Sequence, residues 1–170
     1  MVMGGIPFYL SLIDPRQSLV QNVDRLFFSH GGIMRGEFDE LYNALFSNAE
    51  LYISVVKALA QHHDGMTRTE ISKVIGANGG TLTRVLTNLE RCDFISRSQN
   101  FGCKTKDTIY RLMDFYTLFY YKFIAQDTSG DEQWWSHNFE SRLVSTWQGL
   151  TFEIVCLMHT DCIKKALGIS

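Results

Sequence analysis

Proline is nearly missing from this chain: Pro7 and Pro15 are the only two, so nothing after residue 15 forces a helix to stop. Long apolar runs are missing too, and without about 18 such residues in a row no membrane-spanning helix is expected. The apolar stretch from Ile6 to Ile13 follows no basic region, which excludes a secretory signal. Cysteine is scarce. Cys92, Cys103, Cys156 and Cys162 lie in a chain that is 45% hydrophobic and needs no covalent staples, so reduced thiols and a cytoplasmic location are expected. Nor is there a strong excess of charge, with 16 basic and 18 acidic residues and a net charge of −2. At 170 residues the chain can bury a real core, as one domain or two small ones.

What is present centres on Thr67 to Leu112, which reads as helix, turn, helix and a two-stranded wing. Thr67-Arg68-Thr69-Glu70 has the pattern of a capping box, opening a helix with Ile71, Val74 and Ile75 on one side. The turn Gly76-Ala77-Asn78-Gly79-Gly80 holds residues that tolerate positive φ. In Thr81 to Cys92, Leu82, Val85, Leu86 and Leu89 form one apolar stripe at helical spacing. The other face carries Thr81, Thr83, Arg84, Thr87, Asn88 and Arg91, which can bond phosphates or base edges as the second helix of a helix-turn-helix does in a major groove. The same face could instead be merely solvated or dock on protein. Phe94–Arg97 and Asp107–Leu112 are β-rich runs that read as a hairpin, with Arg97, Lys104 and Lys106 at its shoulder and tip. From His62 to Leu112 eight basic residues stand against five acidic ones, a weak polarisation.

The flanks read as helices. Pro7 suits the first position of one that runs through Phe8, Tyr9, Leu12 and Ile13. Ser18 can cap the next, and a third runs from about Gly36 to Ser47 with Phe38, Leu41, Tyr42, Leu45 and Phe46 inward. A fourth buries Tyr52, Val55, Val56 and Leu59. Met113 to Ala125 is apolar nearly all round, as in a helix buried on several sides; stacking of single-stranded bases is the sharper alternative. Trp134 to Leu143 suggests a short helix and Gly149 to Leu167 a longer one. The fold class is therefore mostly α with a small β-hairpin, a winged helix-turn-helix flanked by helical segments.

Little else points to chemistry. Cys156, His159 and Cys162 are too widely spaced for a zinc site and have no fourth ligand, so no metal is expected. His62-His63 adjoin a helix end and suit its dipole. Glu140 and Glu153 remain as lone acids, and no catalytic constellation can be assembled, so an enzyme acting by itself is not expected.

Gly4-Gly5-Ile6-Pro7, Gln21 to Phe28, Asp114 to Tyr120 and Lys164 to Ile169 together resemble a family of prokaryotic, archaeal-type P-loop ATPases. That resemblance implies a helical lid over 1–47, the winged helix over 48–112 and the helical start of a nuclease-like domain over 113–170, with Glu153 near its metal site. It implies Pro7 close to a nucleotide base, and ATP and magnesium in the parent family. No Gly-x-x-x-x-Gly-Lys-Ser/Thr occurs, so no cofactor is expected in this chain itself. The expectation is an accessory segment of such an ATPase, with double-stranded DNA, an ATPase core and a second copy of the chain as possible partners and no membrane contact. The alternative is an interaction or regulatory module that never meets DNA.

Overall fold

The computed structural model describes residues 2–99 and 108–169. Its first helix, α1 (Pro7–Ser11), has Pro7 at its start, and the second, α2 (Leu19–Val23), opens on a capping box. There Ser18 Oγ accepts from the Gln21 N–H at 3.2 Å, and the Gln21 side chain accepts from the Ser18 N–H at 2.9 Å. Buried Asn22 joins the two helices, accepting from the Asp14 N–H at 2.8 Å and donating to the Asp14 carbonyl at 2.9 Å. Beyond Val23 the helix widens into a π-turn, Asp24–Phe28, closed by the Ser29 N–H on the Asp24 carbonyl at 2.9 Å. Leu26, Phe27 and Phe28 all lie inside.

Helices α3 (Ile33–Leu45) and α4 (Ala49–Ala60) follow. The expected inward faces hold for Phe38, Tyr42 and Phe46 in the first and Tyr52, Val55, Val56 and Leu59 in the second. Leu45 departs from the expectation, being 49% exposed at the last position of its helix, where fewer neighbours surround a side chain.

Three strands make the sheet. β1 (Met66–Thr67), β2 (Ile95–Ser98) and β3 (Ile109–Leu112) pair antiparallel in the order β1-β3-β2, with Met66 opposite Tyr110 and Ile95 opposite Leu112. The expected hairpin is present; β1 is an addition, since two residues are too short for alternation to show. Gly65 makes the approach to β1 possible. It has φ +84°, and a Cβ there would stand 2.6 Å from Ile109 Cγ2 and from the Tyr110 carbonyl oxygen.

The aromatic segment is α7 (Phe115–Phe119), continued by a second π-turn, Tyr120–Ile124. Its N-cap is Asp114, which accepts from the Thr117 N–H at 2.7 Å, and burial raises that carboxyl's pKa above its ordinary value. Every aromatic of the segment that lies inside meets other rings. Phe119 packs edge-on to Phe27 at 4.8 Å, to Trp135 at 5.2 Å and to Trp147 at 5.4 Å, while Tyr120 stacks on Phe38 at 4.0 Å. Core packing thus accounts for the run, and single-stranded bases have no access to Tyr116, Phe119 or Phe123.

Helices α8 (Trp134–Asn138), α9 (Arg142–Met158) and α10 (Thr160–Leu167) complete the chain. The single helix expected over 149–167 is broken at His159, and its first half starts earlier, capped by Ser141. Val144, Trp147, Thr151 and Ile154 form the buried face of α9, while Phe152, despite its large apolar ring, is 61% exposed. No residue of α10 is buried.

Five-residue α8 is held from a distance. The buried carboxylate of Asp24 accepts from the Trp135 N–H at 2.8 Å, from the Ser136 N–H at 3.1 Å and from the Ser136 hydroxyl, so it satisfies donors at the start of a helix 111 residues away. Asp24→Ala leaves those donors unpaired and is expected to cost about 1–3 kcal/mol in chemical denaturation. A loss within error of zero would show that α8 is held by its tryptophans alone.

Candidate nucleic-acid interface

The pair of helices that could meet DNA is α5 (Arg68–Ile75) and α6 (Gly79–Arg91). The capping box at the start of α5 forms as expected: Thr67 Oγ1 accepts from the Glu70 N–H at 3.3 Å, and Glu70 Oε2 accepts from the Thr67 N–H at 2.7 Å and from its hydroxyl at 2.8 Å. These donors lower the Glu70 pKa. The helix ends at Gly76, in the left-handed region at φ +67°. Ile71 is fully buried, while Val74, expected beside it, is 60% exposed.

α6 buries Leu82, Val85, Leu86 and Leu89 completely or nearly so, which fixes its opposite face outward. At 100° per residue, Arg84, Thr87 and Arg91 lie along the centre of that outer face over about 10 Å. Arg84 and Arg91 are exposed, and neither makes a hydrogen bond or ion pair among the described residues. Thr87 is half-buried. Thr81 is exposed at the helix start, and Thr83, also exposed, returns its hydroxyl to the Gly79 carbonyl at 3.2 Å. Asn88 faces inward, donating to the Tyr52 hydroxyl at 2.8 Å, so it ties α6 to α4. Arg97 on β2 pairs with Glu90 at 3.1 Å. Lys104 and Lys106 lie outside the described residues.

One contributor was not visible in the sequence. Arg68 donates to the Gly79 carbonyl at 2.8 Å and to Thr83 Oγ1 at 3.1 Å, clamping the first turn of α6 against α5. Its partners are 11 and 15 positions away, beyond any local pattern. The nine residues expected to meet DNA therefore divide. Arg84, Arg91, Thr81 and Thr87 remain available, while Thr83, Asn88 and Arg97 already have partners within the protein.

Residues 54–101 match the model of the MarR family, from within α4 to just past β2. The fold itself is mostly helical with a small three-stranded antiparallel sheet, a winged helix flanked by helices. That match covers less than a third of the chain. Among solved structures, a glycine-to-lysine mutant of S. aureus MepR is similar, at 20% identity over 83% of this chain and 98% of that one, but its TM-score of 0.34 carries no argument. A comparison with curated proteins finds no match.

These findings overturn the resemblance to a P-loop ATPase, since no comparison returns such a family or a nuclease-like domain. The residues that suggested it serve packing and capping. Gln21 completes a capping box, Asn22 ties two helices, and Phe27, Phe28, Tyr116 and Phe119 are core aromatics. Many helical proteins need such residues for the same reasons. The accessory-segment role, the ATPase core as partner and the ATP and magnesium implied with it lose their ground. Pro7 is an exposed helix-starting proline, and Glu153 is exposed on α9. No group of three metal-ligating side chains is found among the described residues. No helix among them is long and apolar enough to cross a membrane.

The capping box gives a pH-sensitive readout. Because the Glu70 pKa is lowered in the fold, its contribution is present above the unfolded-state pKa and is lost as pH falls through the folded one. Thr67→Ala removes the hydroxyl and keeps the backbone N–H; it is expected to cost about 1 kcal/mol near neutral pH and to move the Glu70 titration part of the way back toward the ordinary glutamate range. An NMR titration of Glu70 in both proteins checks this. An unchanged midpoint would mean that the Thr67 hydroxyl contributes nothing to holding the carboxylate.

Proposed function

We propose that this protein is a DNA-binding regulator that lays α6 into the major groove, with phosphate contacts made by the wing. The observation that carries this reading is the pair of exposed, unpaired guanidinium groups, Arg84 and Arg91, on the outer face of a rigidly seated second helix. Guanidinium is the group best suited to both phosphate and guanine edges. The match of 54–101 to a family of transcriptional regulators supports it. Lys104 and Lys106, at the tip of the expected wing, are assigned to the backbone-contacting set on sequence alone.

The proposed regulator acts as a homodimer. Exposed Leu167, Ile163 and Ile169 give the α10 end an apolar surface that a second copy would cover. Two-fold symmetry would then present two copies of α6 to successive major grooves, about 34 Å apart.

Fluorescence anisotropy with mixed-sequence duplex DNA at low salt tests the reading. Binding is expected at about 10⁻⁴ to 10⁻⁶ M, falling steeply with added salt. Arg84→Ala and Arg91→Ala should each weaken it, while Arg97→Ala, whose charge is already paired with Glu90, should matter less. No binding at high micromolar protein, or equal effects of all three, would remove α6 from the interface.

A further inference from the structure

A groove crosses the molecule away from α6, between the end of α4, the α7 segment and α9. It encloses about 500 Å³. Leu112, Leu118, Leu143, Trp147, Leu150 and Ile154 supply its apolar surface, and four of these lie on α9 at spacings of four, three and four. That is the seam of a helix that packs along another helix. Leu157, 47% exposed, and Met158, 55% exposed, continue the stripe past the enclosed part. A second hollow shares Ala60, Gln61 and Lys122 with the first and continues to Lys57 and Gln126. The surface is thus elongated: from Arg142 to Ile154 it runs about 18 Å.

The charges around this groove are of one sign. Arg111, Lys122 and Arg142 line it with His62 and His63, Lys57 stands at its extension, and neither hollow has an aspartate or glutamate in its lining. In a chain with more acidic than basic residues this is a local bias. None of Lys57, Arg111, Lys122 and Arg142 makes an ion pair or hydrogen bond among the described residues; His63 has Asp64 at 3.7 Å, and His62 lies within electrostatic reach of Glu70. The chain's own C-terminal helix fits poorly, since α10 carries Lys164 and Lys165 and would bring like charge.

We propose that this groove binds an acidic amphipathic helix of a partner protein, two or three turns long, with apolar side chains on the α9 stripe and carboxylates facing Arg111, Lys122 and Arg142. Helix-in-groove recognition reads anchors at i, i+3 or i+4 and i+7, which is the spacing the stripe offers. The rim charges select the sign of the partner and speed its approach. The reading stands apart from DNA binding, because no residue of α6 takes part.

The test uses the whole chain and two labelled synthetic helical peptides that share leucines at that spacing, one flanked by glutamates and the other by lysines. The glutamate peptide is expected to bind saturably in anisotropy at low salt, and the lysine peptide not to. The double variant Lys122→Glu, Arg142→Glu should lose at least about tenfold for the glutamate peptide and gain for the lysine peptide, a swap that mere misfolding cannot produce. Failure of the glutamate peptide to bind, equal binding of both peptides, or binding indifferent to the charge reversal would each overturn the proposal. So would 1-naphthoate displacing the peptide while binding more tightly, which would assign the hollow to a small anion.

Discussion

Phe119 has no exposed surface and touches rings from both ends of the chain: Phe27 and Phe28 before the winged helix, Trp135 and Trp147 after it. Offset and edge-on contacts between aromatic rings contribute beyond the area they bury, by about 0.5–1.5 kcal/mol for each pair. More important here is their placement. Phe119 belongs to the segment that leaves the wing through Asp114, so the N-terminal and C-terminal helices meet at one side chain a few residues beyond the sheet. The winged helix cannot shift against its flanks without disturbing that cluster, because a close-packed interior transmits displacement.

The same rigidity shapes the outer face of α6. Four apolar residues seat the helix, Arg68 clamps its first turn, and Asn88 ties it to Tyr52 of α4. What is left facing water is a short line of groups, with Arg84 and Arg91 at its ends. A guanidinium held on an immobile helix loses less freedom on meeting a phosphate than one on a loop. Pre-organisation of this kind lowers the cost of binding without adding contacts.

Much of this was legible in the sequence where the signal was local. The Thr67 and Ser18 caps, the α4 and α6 stripes and the inward aromatics of α7 all follow from spacings of three, four and seven. Of the nine residues expected to meet DNA, Thr81, Arg84 and Arg91 are exposed on α6 and Thr87 is half-buried there, while Lys104 and Lys106 lie outside the described residues. What could not be read depends on distant partners: the withdrawal of Asn88 toward Tyr52, the pairing of Arg97 with Glu90, the Arg68 clamp and the two-residue strand β1. Val74 and Phe152 illustrate another limit. Helical spacing predicts which residues share a face, but not whether another element reaches that face to cover it. The likeness to an ATPase family failed for a related reason, since caps and core aromatics recur wherever helices pack around rings.

The Asp24 carboxylate also sets an order of events during synthesis. Its acceptor oxygens sit on the π-turn that follows the second helix, but the N–H groups it must receive belong to Trp135 and Ser136. At about 5–20 residues per second, a ribosome needs about 5 to 20 s to make the intervening chain. Until then a carboxylate destined for the interior has only water to bond, and the π-turn that carries it has no reason to settle. The N-terminal helices therefore cannot reach their final packing as they emerge, and the last third of the polypeptide closes a fold that the first third has to hold open.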